Sequence, residues 1–239
     1  MSPSPFLGEF AGTALLLTMG CGVVANVVLN KTKGNNSGWI VITFGWAMAV
    51  FLGVYASTTM GGGGHLNPAV TIAMYCFNDG FDKALLPTYL GAQFAGAFVG
   101  ALVVWVCYKQ HFDETEDKNL ILAVYSTGPA IRNPIYNFLT EMIGTFILVF
   151  GALNMSPSET SLGTLNALPV ALLVLGIGLS LGGPTGYAIN PARDLGPRIA
   201  HFILPMKNKG SSDWSYCWVP ILGPIVGGLL GALLFYNVV

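Results

Sequence analysis

The chain reads as an all-α membrane protein, with six transmembrane helices plus two re-entrant half-helices in an inverted repeat. Three observations predict it. The 239 residues are 53% hydrophobic and only 9% charged, with a mean hydropathy of +0.64, whereas a soluble domain carries about 25% charge. Six apolar stretches come close to or pass the ~20 residues that a spanning helix needs. The tripeptide Asn-Pro-Ala occurs twice, each time opening an apolar segment too short to span.

Taken in order, the spans are 6–29, 39–58, 87–108, 136–153, 165–182 and 218–236. The short segments are 68–77 and 191–204; apolar runs of about 10 to 14 residues read as re-entrant pieces. Proline suits the first turn of a helix, where its missing N–H is not needed. Asparagine is a strong N-cap. Each Asn-Pro-Ala is therefore a helix start, capped by Asn67 or Asn190, with Pro68-Ala69 and Pro191-Ala192 as the first turn.

The halves repeat. Glu-x-x-Gly-Thr occurs at Glu9 and again at Glu141, "HLNPAV" matches "AINPAR", and "QFAGAFVG" resembles "PIVGGLLG". The chain thus divides as one transmembrane domain, 1–239, with a first repeat 5–108, a connecting loop 109–135 and a second repeat 136–237. Three spans per repeat is an odd number, so the second copy enters the membrane from the opposite side. Glycines at four-residue spacing, such as Gly8 and Gly12 or Gly223, Gly227 and Gly231, let helix backbones approach closely.

Composition excludes several classes. A net charge of −1 lacks the basic footprint of nucleic-acid binding. The four cysteines form no C-x-x-C pair, so they read as small buried hydrophobes rather than metal or redox ligands. A cleavable signal peptide is not expected, because the N-terminal stretch lacks a basic region. No nucleophile–base pair and no metal cluster is visible, so no catalytic residue, metal site or cofactor is assigned.

Irregular backbone at membrane depth is tolerated only inside protein or along a water-filled cavity. The two half-helices, entering from opposite faces, meet N-terminus to N-terminus near the midplane. That predicts one pore with Asn67 and Asn190 at its centre and their amide donors facing the lumen. The residues before each cap, Gly63, Gly64 and His65 and then Gly186, Tyr187 and Ala188, cannot be helical; their carbonyls are expected to line the pore as acceptors. Glu9 and Glu141 are carboxylates inside apolar spans, where such groups are functional or paired. The structural reading makes each an acceptor for backbone N–H groups of a re-entrant loop; a proton relay is the alternative. His65 is expected to pack beside its loop and order it. His111 and His201 read as ordinary loop or helix-end residues. Arg193 sits on the first turn of a helix, where its charge opposes the dipole. It therefore reads as a donor for a hydroxyl or carbonyl solute and a barrier to cations, against the plainer reading of a surface salt bridge with Asp194.

These motifs are similar to those of the aquaporin family, also called the major intrinsic proteins, over nearly the whole chain. The resemblance implies a homotetramer with one pore in each subunit, in a plasma or inner cell membrane. "NPARDLGPR" looks like the glycerol-conducting branch, with Asp194 and Arg198 as its markers, and Pro220-Ile221 resembles that branch too. The family's narrow filter has four positions, which fall here on Trp46, Gly178, Tyr187 and Arg193. Tyrosine at 187 departs from the phenylalanine of bacterial glycerol facilitators. The implied function is passive permeation of glycerol, related small neutral polyols or urea, and water, with protons and ions excluded. The alternatives are a water-selective pore, an ion-coupled secondary transporter and a closed-pore junction or sensor protein. Family topology places both termini in the cytoplasm, although Lys31, Lys33, Lys109, Lys118, Arg132, Lys207 and Lys209 then face outward, against the positive-inside rule.

Overall fold

The computed structural model describes residues 3–155 and 163–238, so residues 156–162 of the second repeat lie outside the described residues. Every regular element among them is helical: α1 Pro5–Val28, α2 Trp39–Thr59, α3 Pro68–Phe77, α4 Leu86–Glu114, α5 Lys118–Tyr125, α6 Pro134–Asn154, α7 Ala167–Leu181, α8 Pro191–Ile203 and α9 Val219–Val238. Helices are what the composition demands, because a lipid-facing backbone must satisfy its polar groups within its own segment.

Local chemistry sets the starts. Ser4, Asn67, Asn133 and Asn190 each cap a helix whose first residue is proline, and each side chain accepts a backbone N–H of the first turn. Five helical stretches are long and apolar enough to cross a membrane: Pro5–Val28, Trp39–Thr59, Lys83–Glu114, Pro134–Asn154 and Val219–Val238. The expected fifth span is shorter as an α-helix. α7 has 15 residues, about 22 Å of rise, and the 3₁₀ turn Gly163–Asn166 lengthens it at its N-terminal end. Two expectations need correction. α4 does not stop at 108 but runs to Glu114, and the connecting segment is not all loop, since it holds α5. Asp117 caps α5, and Ile121, Val124 and Tyr125 are fully buried, so packing against α1 and α8 pays for its order.

α1, α2 and α4 pack together with α3 laid against α4; α6, α7 and α9 pack together with α8 against α9. The halves join where α2 meets α7 and where each half-helix reaches across, α3 to α9 and α8 to α4. Glycine permits the closest crossings. A Cβ on Gly96 would lie 2.4 Å from Phe10 O, and one on Gly227 would lie 2.0 Å from Met142 O. Outward side chains such as Ile40, Phe44, Val106 and Leu172 are large, apolar and exposed, as a lipid-facing surface requires. The same inversion corrects the cysteine expectation. Cys21 and Cys217 are buried, but Cys76 and Cys107 are exposed, because the outside of an apolar helix faces lipid rather than a core.

Candidate functional site

The two half-helices meet N-terminus to N-terminus, and the junction is built from one pattern used twice. Leu66 donates its N–H to Glu9 Oε2 at 2.8 Å, and its carbonyl accepts from Asn190 Nδ2 at 2.8 Å. Ile189 donates its N–H to Glu141 Oε2 at 2.8 Å, and its carbonyl accepts from Asn67 Nδ2 at 2.7 Å. The residue before each is held too, His65 N–H by Glu9 and Ala188 N–H by Glu141. Each half therefore bonds its own glutamate and the other half's asparagine. Asn67 and Asn190 also use their side-chain oxygens on the N–H groups of Ala69 and of Ala192 and Arg193. One amide N–H of each asparagine is thus spent on the opposite loop, leaving one apiece.

This pattern requires unusual backbone. Leu66 and Ile189 have φ of 51° and 43°, and Tyr187 has 39°. The left-handed region is uncommon for leucine and a genuine outlier for β-branched isoleucine. Such residues cost of order 1–3 kcal/mol each and persist only where their surroundings over-determine them. The buried carboxylate on one side and the asparagine on the other do so here. Gly64 and Gly186, at φ of 70° and 85°, prepare the same turns without that cost.

Around the junction lies a cavity of about 370 Å³. Gly63, Gly64, His65, Gly186, Tyr187 and Ala188 line it, with Asn67, Asn190, Trp46 and Arg193. Among the described residues no protein donor bonds the carbonyls of those first six. An apolar lining completes the walls, from Val50 and Val54 on α2, Leu148 on α6, and Val170 and Val174 on α7. Glu9, Glu141, Asp194 and Arg198 do not line it; they stand behind it, essentially unexposed.

Three of the four positions expected to form a filter, Trp46, Tyr187 and Arg193, line that cavity. The Arg193 guanidinium carbon lies 4.2 Å from the centre of the Trp46 ring, a cation–π distance, and its Nη1 donates to Tyr125 O at 3.1 Å. Gly178 is placed differently, behind the wall. A Cβ there would lie 2.8 Å from Tyr187 Cζ, so its role in the geometry is to seat the tyrosine ring. Asp194 does not pair with Arg193. It receives Arg198 Nε at 2.7 Å and Nη2 at 3.0 Å, together with the Thr127 N–H and hydroxyl. Arg198 in turn donates to Ser212 O, Asp213 O and Thr127 O. The pair ties α8 to both loops flanking the Arg193 end of the cavity.

The histidines differ in setting. His65 pairs Nδ1 with the Thr71 hydroxyl at 3.1 Å and packs between Phe81 and Tyr89. His111 is half-buried and contacts Asn30 O. His201 is not a loose helix-end residue; it is fully buried, with Nδ1 at 2.8 Å from Ser212 Oγ.

Several supporting residues escaped the sequence reading. Gly20 makes room for Trp46, since a Cβ there would lie 2.2 Å from the indole; it falls on the same four-residue register as Gly8 and Gly12. Gln93 bridges Glu9 and Thr71, at 2.8 Å to each. An amide inside an apolar span is a signal in itself. Ser57 and Thr185 each donate a hydroxyl to their half's glutamate. Trp46, Val50 and Val54, and likewise Val170, Val174 and Gly178, recur every four residues, one helix face apiece.

The family described as "Major intrinsic protein" matches residues 3–235. The chain is 56% identical over 229 residues to glycerol uptake facilitator protein 3 of Lactiplantibacillus plantarum, covering 96% of this chain and 94% of that one. It is 56% identical over 232 residues to a probable glycerol uptake facilitator protein of Thermotoga maritima, covering 97% and 98%. Its fold is similar to the X-ray structure of the aquaglyceroporin from Plasmodium falciparum, with a TM-score of 0.86 at 33% identity over 98% of this chain and 95% of that one.

Proposed function

Because the chain belongs to the major intrinsic protein family, whose members are passive channels and not enzymes, we propose that it is a multi-pass pore for glycerol and related small neutral polyols, passing water and urea as well and excluding protons and ions. The named solute of the relatives, glycerol, supports the solute class. The observation that carries the reading is the single cavity shared by both loops, both asparagines, Trp46, Tyr187 and Arg193.

A polyol has a carbon face and a hydroxyl face. Unpartnered carbonyls from 63–65 and 186–188, the spare amide donors of Asn67 and Asn190, and Arg193 suit the hydroxyls. Trp46, Tyr187 and the valines of α2 and α7 suit the carbons. Trp46, Tyr187 and Arg193, with Gly178 seating the tyrosine, form the proposed filter. Glu9 and Glu141 hold the loops open, since each carboxylate accepts from fixed backbone donors of its loop. Proton exclusion follows from the two half-helix N-termini meeting at the asparagines, joined by the Arg193 charge. Asp194 and Arg198 act one layer out, fixing the backbone that fixes Arg193.

The repeats 5–108 and 136–237, joined by 109–135, are proposed as one conducting unit, and four units as the assembly. A groove of about 740 Å³ on the outside of α6 and α7, lined by Leu168, Leu172 and Leu173, offers an apolar face for a neighbour. Stopped-flow light scattering of proteoliposomes tests the function by comparing water, glycerol and urea. Non-saturating glycerol flux without ion dependence is expected. Saturable, ion-dependent uptake would instead identify a coupled transporter, and absent osmotic flux a closed pore.

A further inference from the structure

We propose that the aromatic ring of Tyr125 is a positioning group for Arg193, acting from outside the pore through its own backbone carbonyl. The inference rests on the pore reading above and on the exclusion role given there to Arg193.

Arg193 is lightly held for a charged group at a pore wall. Among the described residues its guanidinium makes one hydrogen bond, from Nη1 to Tyr125 O at 3.1 Å, and it lies over the Trp46 ring at 4.2 Å. A long arginine side chain is costly to order. Where the guanidinium stands is therefore set by where the Tyr125 carbonyl stands. That carbonyl is free to accept because Tyr125 is the last residue of α5, and the last carbonyls of a helix have no partner within it.

α5 cannot hold the carbonyl in place by itself. Isolated helices shorter than about 12 residues are marginal, and α5 has eight. Its last residue is placed by tertiary contacts, and the Tyr125 ring makes the ones nearest the carbonyl. The residue is fully buried, its ring stacked on Phe112 of α4 at 5.5 Å and 10° and tilted against His201 of α8 at 6.2 Å. His201 is itself tied to Ser212 Oγ. Two residues on, Thr127 donates to Asp194 and accepts from Arg198. Segment 125–127 thus meets three charged residues of α8, and the Tyr125 ring pins the end that holds Arg193. The Tyr125 hydroxyl has no hydrogen-bond partner in the protein, so the ring and not the hydroxyl sets the position.

The test is a double-mutant cycle in proteoliposomes: Tyr125→Leu, Arg193→Val and the two together. Proton leak is read with an internal pH dye, and glycerol permeability by stopped-flow checks that each variant conducts. Tyr125→Leu is expected to raise proton leak about 3- to 10-fold, the effect of one net hydrogen bond. In the Arg193→Val background the same substitution should add nothing, because the group it positions is gone and coupled residues are non-additive. Tyr125→Phe, which keeps the ring, should restore the leak to that of the parent. Should Tyr125→Leu fail to fold, Phe112→Leu, which trims only the stacking partner, carries the same expectation of an Arg193-dependent leak. A leak that persists in the Arg193→Val background would make Tyr125 a packing residue only and overturn the proposal. So would a Tyr125→Phe variant as leaky as Tyr125→Leu. A leak from Arg193→Val but not from the Tyr125 or Phe112 variants removes this proposal alone. No leak from Arg193→Val removes the exclusion role of Arg193, and the proposal with it.

Discussion

The two re-entrant segments share a skeleton and differ in what hangs from it. Both use a glycine and a larger residue in left-handed backbone, a span glutamate, an asparagine cap and a proline start. Immediately after Asn-Pro-Ala they part. The first segment has Val70 and Thr71; the second has Arg193 and Asp194. His65 stands where the second has Ala188. The first is braced by neutral groups, with Gln93, Ser57, His65 and Thr71 bonded around Glu9. The second is braced by a buried ion pair tied to loops. The four ion pairs among the described residues all lie on the face opposite the termini. The skeleton makes the junction at the middle, and the decoration makes one side of it charged and fixed.

The largest effect should come from the skeleton. Glu141→Ala strips the partner from the Ala188 and Ile189 N–H groups and from the Thr185 hydroxyl. At about 1–3 kcal/mol for each of these three buried groups left unsatisfied, the loss is ~3–9 kcal/mol, enough to abolish glycerol flux. Glu9→Ala strips the partner from the His65 and Leu66 N–H groups, the Ser57 hydroxyl and the Gln93 amide, and each loop keeps a backbone bond of its own, Gly62 N–H on Ser57 O and Gly186 N–H on Gly182 O. Melting temperatures in detergent should therefore fall by similar amounts in both variants. A large gap between them would mean that the two skeletons are not equivalent despite their matched bonding.

Next come the residues that differ. Asp194→Ala leaves the Arg198 guanidinium buried with its charge uncompensated, and breaking such a pair costs about 3–5 kcal/mol. Thr71→Ala, at the matching place, removes a hydroxyl from a network with other connections and should cost about 1 kcal/mol. Denaturation of the two variants side by side measures the gap. A Thr71 variant as damaged as the Asp194 variant would remove the distinction between a neutral and an ionic brace.

The third prediction makes the halves alike. Arg193→Val gives the second half-helix the residue the first has at Val70. At an effective dielectric near 20, a unit charge that lines the pore changes the energy of an ion inside it by ~2 kcal/mol or more. Proton leak, read with a pH-sensitive dye inside clamped liposomes, should rise some thirtyfold while glycerol flux stays within a few-fold. An unchanged leak would assign exclusion wholly to the skeleton and its paired helix ends.

How much of this was legible beforehand depends on how local each signal is. The caps Asn67 and Asn190, the prolines behind them and the doubled Glu-x-x-Gly-Thr are short-range chemistry, and the chain displays them openly. The cross-bonds are not local. Nothing about leucine or isoleucine announces a positive φ, and their conformation is imposed by Glu9, Glu141 and the asparagines of the other half, more than a hundred residues away. Tyr125 offers Arg193 a backbone carbonyl, an atom every residue has, so no side-chain pattern could point to it. α5 was readable in principle, from Asp117 as a cap before an apolar run, but eight residues are too few to stand apart from a loop. Gly178 is a filter position by resemblance alone, and only the structure shows that its missing Cβ makes room for the Tyr187 ring.

The smallest expected effect concerns the outermost part of the charged end. Arg132 pairs with Asp213 across the two loops that Arg198 also holds, and its guanidinium lies 5.4 Å from the Tyr216 ring. Partial burial works to raise the Asp213 pKa, but the hydrogen bonds from Arg132 and Ser215 and the nearby Arg132 and Arg198 charges outweigh it, so the carboxyl titrates below the usual aspartate range. A group whose pKa is depressed on folding lends stability that is present above its unfolded value and lost as the pH falls through the folded one. Arg132→Ala should therefore lower the melting temperature slightly at pH 7, by about 0–1 kcal/mol for an exposed pair, and the difference from the parent should be lost as the pH falls through the depressed pKa of Asp213. The first half has no counterpart, so acid should loosen the charged face before the termini face. Hydrogen exchange of residues 211–217 against 61–66 across that pH range measures this directly, and simultaneous loosening of both would show that the two ends of the constriction do not melt independently.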